Sequence, residues 1–89
     1  MNLISMGSVS GGSLPLAFLP EGAVGTVREI MGGRGATRHL EDMGFSPLAR
    51  VLVLKSCPPG AMLVLVKDSR IALGRGMAMK ILVGSIEDP

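Results

Sequence analysis

The sequence predicts a mainly β protein: a small, strongly bent barrel of five to six short strands, with one short inserted helix and a one-turn helix before the last strand. Three observations lead there. The chain has 89 residues, enough for one domain around one core and too few for a second domain or a large cleft. It carries 13 Gly and 6 Pro, and so many breakers enforce short elements joined by tight turns rather than a helical bundle. Apolar runs of strand length also recur at close spacing between those corners.

Residues 1–13 (MNLISMGSVSGGS) are rich in Ser and Gly, lack periodicity and read as a flexible leader. A single domain is expected over 14–84, with order starting at Leu14 or Leu16 and a frayed tail over 85–89. Pro20-Glu21-Gly22 is turn chemistry, and Val24 to Ile30 is a first strand with one apolar and one more polar face, closed by Gly32-Gly33. Ala36 to Met43 reads as a helix, because Ala36, Leu40 and Met43 share one face while Arg38, Glu41 and Asp42 point outward. Gly44 sits where a left-handed cap residue is needed, and Phe45 is placed to touch Leu40 as in a Schellman ending. Arg50 to Lys55 is a second strand, Cys57-Pro58-Pro59-Gly60 a turn that cannot donate to a ladder, and Met62 to Val66 a third strand. Lys67 to Arg70 reads as a tight hairpin, Ile71 to Leu73 as a fourth strand, Gly74 to Met79 as one helical turn, and Ile81 to Val83 as a last strand. Gly44, Gly60, Gly74 and Gly76 are the expected structural turn glycines.

Composition removes several function classes. Hydrophobic residues make up 47% and charged ones 18%, which opposes disorder beyond the ends. Phe18 and Phe45 are the only aromatics, which weighs against sugar binding or stacking on single-stranded RNA, and no cluster of Lys and Arg with aromatics marks a nucleic-acid surface. A net charge of +2 names no anionic partner. Cys57 is the only cysteine, so no internal disulfide can form and a reducing compartment fits. Residues 1–20 are uncharged, but Ser, Gly and Pro interrupt them and no basic segment precedes an apolar stretch, so the chain reads as cytoplasmic rather than inserted or secreted. The runs VLVL and MLVLV are apolar on both faces. A small barrel buries only one set, so the helix, the leader or a partner must cover the other.

The segments LAFLPEGAVGTVREIMGG, RHLEDMGFSP and RVLVLKSCPPGAMLVLVKDSRIALGRGMAMKILV, in that order, resemble the FeoA family of bacterial ferrous-iron uptake proteins. The likeness runs from about Leu14 to Val83. Its most specific parts are Arg38-x-Leu40-x-x-Met43-Gly44-Phe45, the Pro59-Gly60 turn, and Leu73-Gly74-Arg75-Gly76-Met77-Ala78 ending in Ile81-x-Val83. The resemblance implies an SH3-like barrel with an inserted helix and a non-enzymatic accessory role beside FeoB, a membrane protein with a cytoplasmic G domain that carries Fe(II). It also implies kinship with the last domain of iron- and manganese-dependent repressors. One departure stands out: after Gly44-Phe45-Ser46-Pro47 the family usually has Gly, and this chain has Leu48. If the backbone there needs positive φ, Leu bears a steric cost; an exposed Leu48 would join a contact surface.

The chemistry-bearing residues are sparse. His39 with Asp42, one turn on, is at most a weak metal site for Fe(II) or another divalent ion, since tight binding needs about three or four clustered ligands; a solvated His is the alternative. No cofactor is expected to bind tightly. Cys57 lacks a neighbouring base, and Gly32-Gly33-Arg34-Gly35 and Gly74-Arg75-Gly76 lack the residues of a phosphate loop. Arg34 and Arg38 would share a face if the helix starts early; with Arg75, Leu48 and Met77 they form the candidate partner-binding set, against the alternatives of a solvated basic face and a methionine filling the core. The expected function is an adaptor docking on a FeoB-like membrane G protein, peripheral to the inner membrane through that partner. The alternatives are a metal-responsive regulatory barrel acting in trans, and self-association over the apolar strands.

Overall fold

Residues 12–84 are described by the computed structural model. In chain order the elements are β1 (Ser13–Pro15), a 3-10 turn (Leu16–Phe18), β2 (Val24–Ile30), α1 (Arg34–Asp42), β3 (Arg50–Ser56), β4 (Met62–Val66), β5 (Ser69–Leu73), α2 (Arg75–Ala78) and β6 (Ile81–Gly84). The strands form one six-stranded sheet in the order β1-β6-β2-β3-β4-β5, and every neighbouring pair is antiparallel. The leader lies outside the described residues up to position 11, as does the tail over 85–89; Ser13, at the leader's edge, opens β1 opposite Gly84.

Period-two alternation decides which side chains enter the core. Val51 and Val53 of β3 and Met62, Val64 and Val66 of β4 are buried, while the intervening Leu52, Leu54, Leu63 and Leu65 are half-buried on the outer face. Two bulges curve the sheet. The register of β2 against β6 shifts between Val27 and Glu29, leaving Arg28 as the extra residue, and that of β3 against β4 shifts between Val53 and Lys55, leaving Leu54. The wrapped sheet encloses a single cluster to which Leu16, Leu40, Phe45, Ala78, Ile81 and Val83 contribute from outside β3 and β4. No polar or charged residue is buried among the described residues, so the core is held by apolar burial and packing. Glu21 ties the turn before β2 to the end of β3, its Oε2 accepting from the Ser56 amide at 2.9 Å.

The largest departures from the sequence expectation are three, beside one-residue extensions of β3 to Ser56 and β6 to Gly84. The turn after β4 is two residues, not four: Lys67 (φ 48°) and Asp68 (φ 65°) both adopt left-handed backbone, as in a type I′ turn, and Ser69 already pairs with Val66. Its twist matches that of the flanking strands, so pairing extends into the polar Ser69-Arg70 stretch. The helix runs from Arg34 to Asp42 rather than from Ala36 to Met43, because the chain turns at Gly32 (φ 129°) and Gly33 takes the N-cap. The third difference is β1, a three-residue strand ending in Pro15 at the sheet edge, where proline loses no ladder bond.

Candidate functional site

The connection from α1 to β3 is built from two consecutive left-handed corners. At the first, the Gly44 amide donates to the Glu41 carbonyl and the Phe45 amide to the Leu40 carbonyl, both at 3.0 Å, which is the bonding of a Schellman motif. Gly44 takes φ 115°, and Leu40 and Phe45 are both fully buried in the core cluster. At the second, the Ala49 amide donates to the Ser46 carbonyl at 3.0 Å, closing a turn with Pro47 and Leu48 at its centre. Pro47 fixes the first central φ and Leu48 has φ 72°, the arrangement of a type II turn, whose second central residue is ordinarily Gly or Asn.

Leu48 is held in that conformation from both sides. Its amide donates to the Val27 carbonyl at 2.8 Å, and the Val27 amide donates to the Ala49 carbonyl at 2.8 Å, so the turn is bonded to mid-β2. Lys67 Nζ donates to Ser46 Oγ at 3.1 Å, fixing the same corner to the tip of the β4–β5 hairpin. The side chain itself projects into solvent with 74% of its surface exposed, the highest value among the exposed large hydrophobics, which also include Phe18 and Met31.

The early start of α1 sets Arg34 and Arg38 one turn apart on one face, where they line an open depression of about 430 Å³ with Gly32, Thr37 and Glu41. Sequence reading missed a third cation. Lys80 lies across Gly32: a Cβ at that glycine would stand 3.5 Å from Lys80 Cδ and 3.8 Å from its Nζ. The Met31 amide donates to the Lys80 carbonyl at 2.7 Å, so the backbone pins the two segments together. Lys80 is 42 positions or more from either arginine in sequence, and only the β2–β6 pairing that follows Thr26 to Ile30 could have placed it.

The other candidates lie apart from this depression. Arg75 lines a different, much smaller recess with Ala17, Ser56, Pro58, Gly60, Met62 and Ala78. Met77 is half-buried and packs against the core. His39 and Asp42 are both exposed, and the described residues contain no cluster of three or more His, Cys, Asp or Glu side chains able to hold a metal ion. Cys57 is an exposed free thiol. The Gly60 amide donates to the Cys57 carbonyl at 2.7 Å; Gly74 is the N-cap of α2 at φ −69°, and a Cβ at Gly74 or Gly76 would meet open space. Among the described residues no helix is long and apolar enough to cross a membrane.

Comparison with known proteins covers nearly the whole of this architecture. Residues 14–84 match the FeoA domain family. A protein of Methanocaldococcus jannaschii that bears the name Fe(2+) transport protein A is 40% identical over 73 residues, spanning 82% of this chain and 88% of that one. A crystal structure of an iron uptake regulatory protein, FeoA, is 36% identical, covers 82% of this chain and 97% of its own, and superimposes with a TM-score of 0.77. A manganese-dependent transcriptional repressor, 26% identical, aligns over 83% of this chain and 42% of its own with a TM-score of 0.75. The zinc-bound FeoA of Stenotrophomonas maltophilia, described as a prokaryotic SH3 domain protein, is 24% identical, covers 79% of this chain and 88% of its own, and shares the fold at a TM-score of 0.70.

Proposed function

The chain belongs to the FeoA family, and from that premise we propose that it is a non-enzymatic accessory protein of ferrous iron uptake, docking from the cytoplasm on a FeoB-type membrane G protein and modulating it. Fe(II) is then the partner's cargo. The observation that carries the docking site is Leu48: a large apolar side chain, 74% exposed, at a backbone position where glycine would relieve strain. Non-Gly residues with left-handed backbone cost about 1–2 kcal/mol, and such strain concentrates at sites of function. An apolar anchor on a rigid corner is also what a protein interface uses at its centre.

The test is recovery of the transporter from detergent-solubilised membranes of the native host by the tagged protein. Leu48→Asp, which leaves the core untouched, is expected to abolish recovery while the melting curve keeps its cooperative form. Recovery unchanged by Leu48→Asp removes that corner from the interface. Recovery of a second copy alone favours self-association across the outer leucines.

The likeness to a manganese-dependent repressor supports a second reading, a metal-responsive barrel acting in trans. Calorimetric titration with Fe(II) or Mn(II) under reducing conditions separates the two. Saturable binding at roughly micromolar Kd, an interaction of about −8 kcal/mol, favours the regulatory reading, and binding no tighter than millimolar favours the adaptor.

A further inference from the structure

We infer that the depression beside α1 receives an acidic segment of a protein partner, with Arg34, Arg38 and Lys80 as the groups that meet its carboxylates. This rests on the docking reading and adds the chemistry that the partner must present. Arg34 and Arg38 arrive from one helix and Lys80 from the turn just before β6, and Gly32, lacking a side chain, lets the lysine stem lie beside it at the edge of the depression. The lining itself sets Arg34 and Arg38 against one acid, Glu41, and Lys80, which lies beside the lining residue Gly32, adds a further positive charge at its edge.

Helix stability does not explain Arg34, since it sits in the first turn, where the helix dipole disfavours a cation, and faces a like charge four residues on, at a cost of about 0.2–0.5 kcal/mol; Arg38 has Asp42 at i+4 to offset that repulsion. Each guanidinium fork can pair a carboxylate bidentately, and the ammonium adds a third cation for a neighbouring one. Met31, directly before Gly32, is exposed. The concavity favours a peptide over a lipid surface: side chains can enter a depression of about 430 Å³, whereas a membrane is a plane that a raised basic patch would meet better.

The experiment is an NMR titration of the full chain with a Glu-rich peptide of roughly ten residues, its Gln-for-Glu counterpart, and vesicles containing anionic lipid. The Glu peptide is expected to shift amides over Gly32–Arg38 and at Lys80, to bind at least about tenfold tighter than the Gln peptide, and to weaken as salt is raised. The double variant Arg34→Gln/Arg38→Gln should lose about tenfold or more in affinity and Lys80→Gln about threefold or more, while Arg70→Gln on β5 changes nothing beyond error; melting curves confirm that each variant folds. Equal binding of both peptides, or an equal loss in Arg70→Gln, overturns the proposal. So does vesicle binding that exceeds peptide binding and disappears in the same variants. If transporter recovery is lost in Leu48→Asp but kept when all three cations are replaced by Gln, this inference fails and the docking reading survives; the opposite pattern leaves the basic depression as the contact and removes Leu48.

Discussion

Gly44 and Leu48 occupy the same rare region of backbone space, four residues apart in one connection, with φ 115° and 72°. At Gly44 the residue is the one that the geometry calls for. The bonds of the Schellman ending aim Phe45 into the core, and local preference, hydrogen bonding and burial agree. At Leu48 the geometry calls for Gly and the chain supplies a branched apolar residue whose side chain lies mostly in water. Leu48 is not among the side chains packed on the core cluster. The pair separates two kinds of constraint: the first corner answers to folding and, under the docking proposal, the second answers to the partner.

Three substitutions break or sharpen that contrast. The largest effect belongs to Phe45→Ala, which deletes the largest fully buried side chain next to the first corner. A loss of about 3–5 kcal/mol is expected, a large part of the total for a domain of this size, read as a collapse of the denaturant midpoint. Gly44→Ala comes next. A Cβ there would touch Val66 Cγ1 at 3.5 Å, an ordinary contact, so the cost is backbone strain of about 1–2 kcal/mol and a fall in Tm of roughly 5–15 °C. The smallest change, and the only one of opposite sign, is Leu48→Gly. Relief of left-handed strain outweighs the added entropy of the unfolded chain, for a net gain of about 0.5 kcal/mol and a Tm about 2–4 °C higher, while transporter recovery falls. If Leu48→Gly lowers Tm instead, the leucine has a structural role and the contrast between the corners dissolves.

The two corners were also unequally legible in the sequence. Gly44-Phe45 after an amphipathic helix announces a Schellman ending because each residue of the motif has its own local signature. The strands Val24–Ile30 and Met62–Val66 were equally plain, set by alternation and bounded by breakers. Leu48 was visible only as a departure from the family's glycine, and whether the backbone there was left-handed depended on tertiary bonds to Val27. The missed boundaries share a cause: Lys67-Asp68 is not a usual pair for a type I′ turn, and Gly33 caps α1 without a side-chain oxygen, so neither carried the expected marker. Lys80 was out of reach for another reason. It meets Gly32 only because β6 inserts beside β2, and no spacing rule links positions so far apart.

That insertion has a consequence for how the protein is made. β6 lies between β1 and β2, so of the described strands the last to be synthesised is the one that joins the first two. Until Ile81–Gly84 has cleared the exit tunnel, β1 lacks its β6 partner and β2 lacks its β6 neighbour, and Val27 and Leu16 lack the core contribution of Ile81 and Val83. The β3–β4–β5 meander can pair as it emerges, but the enclosed core must wait for the final strand. Until β6 docks, the chain therefore presents an unpaired strand edge and unburied aliphatic surface, the features that make incompletely folded species prone to aggregate.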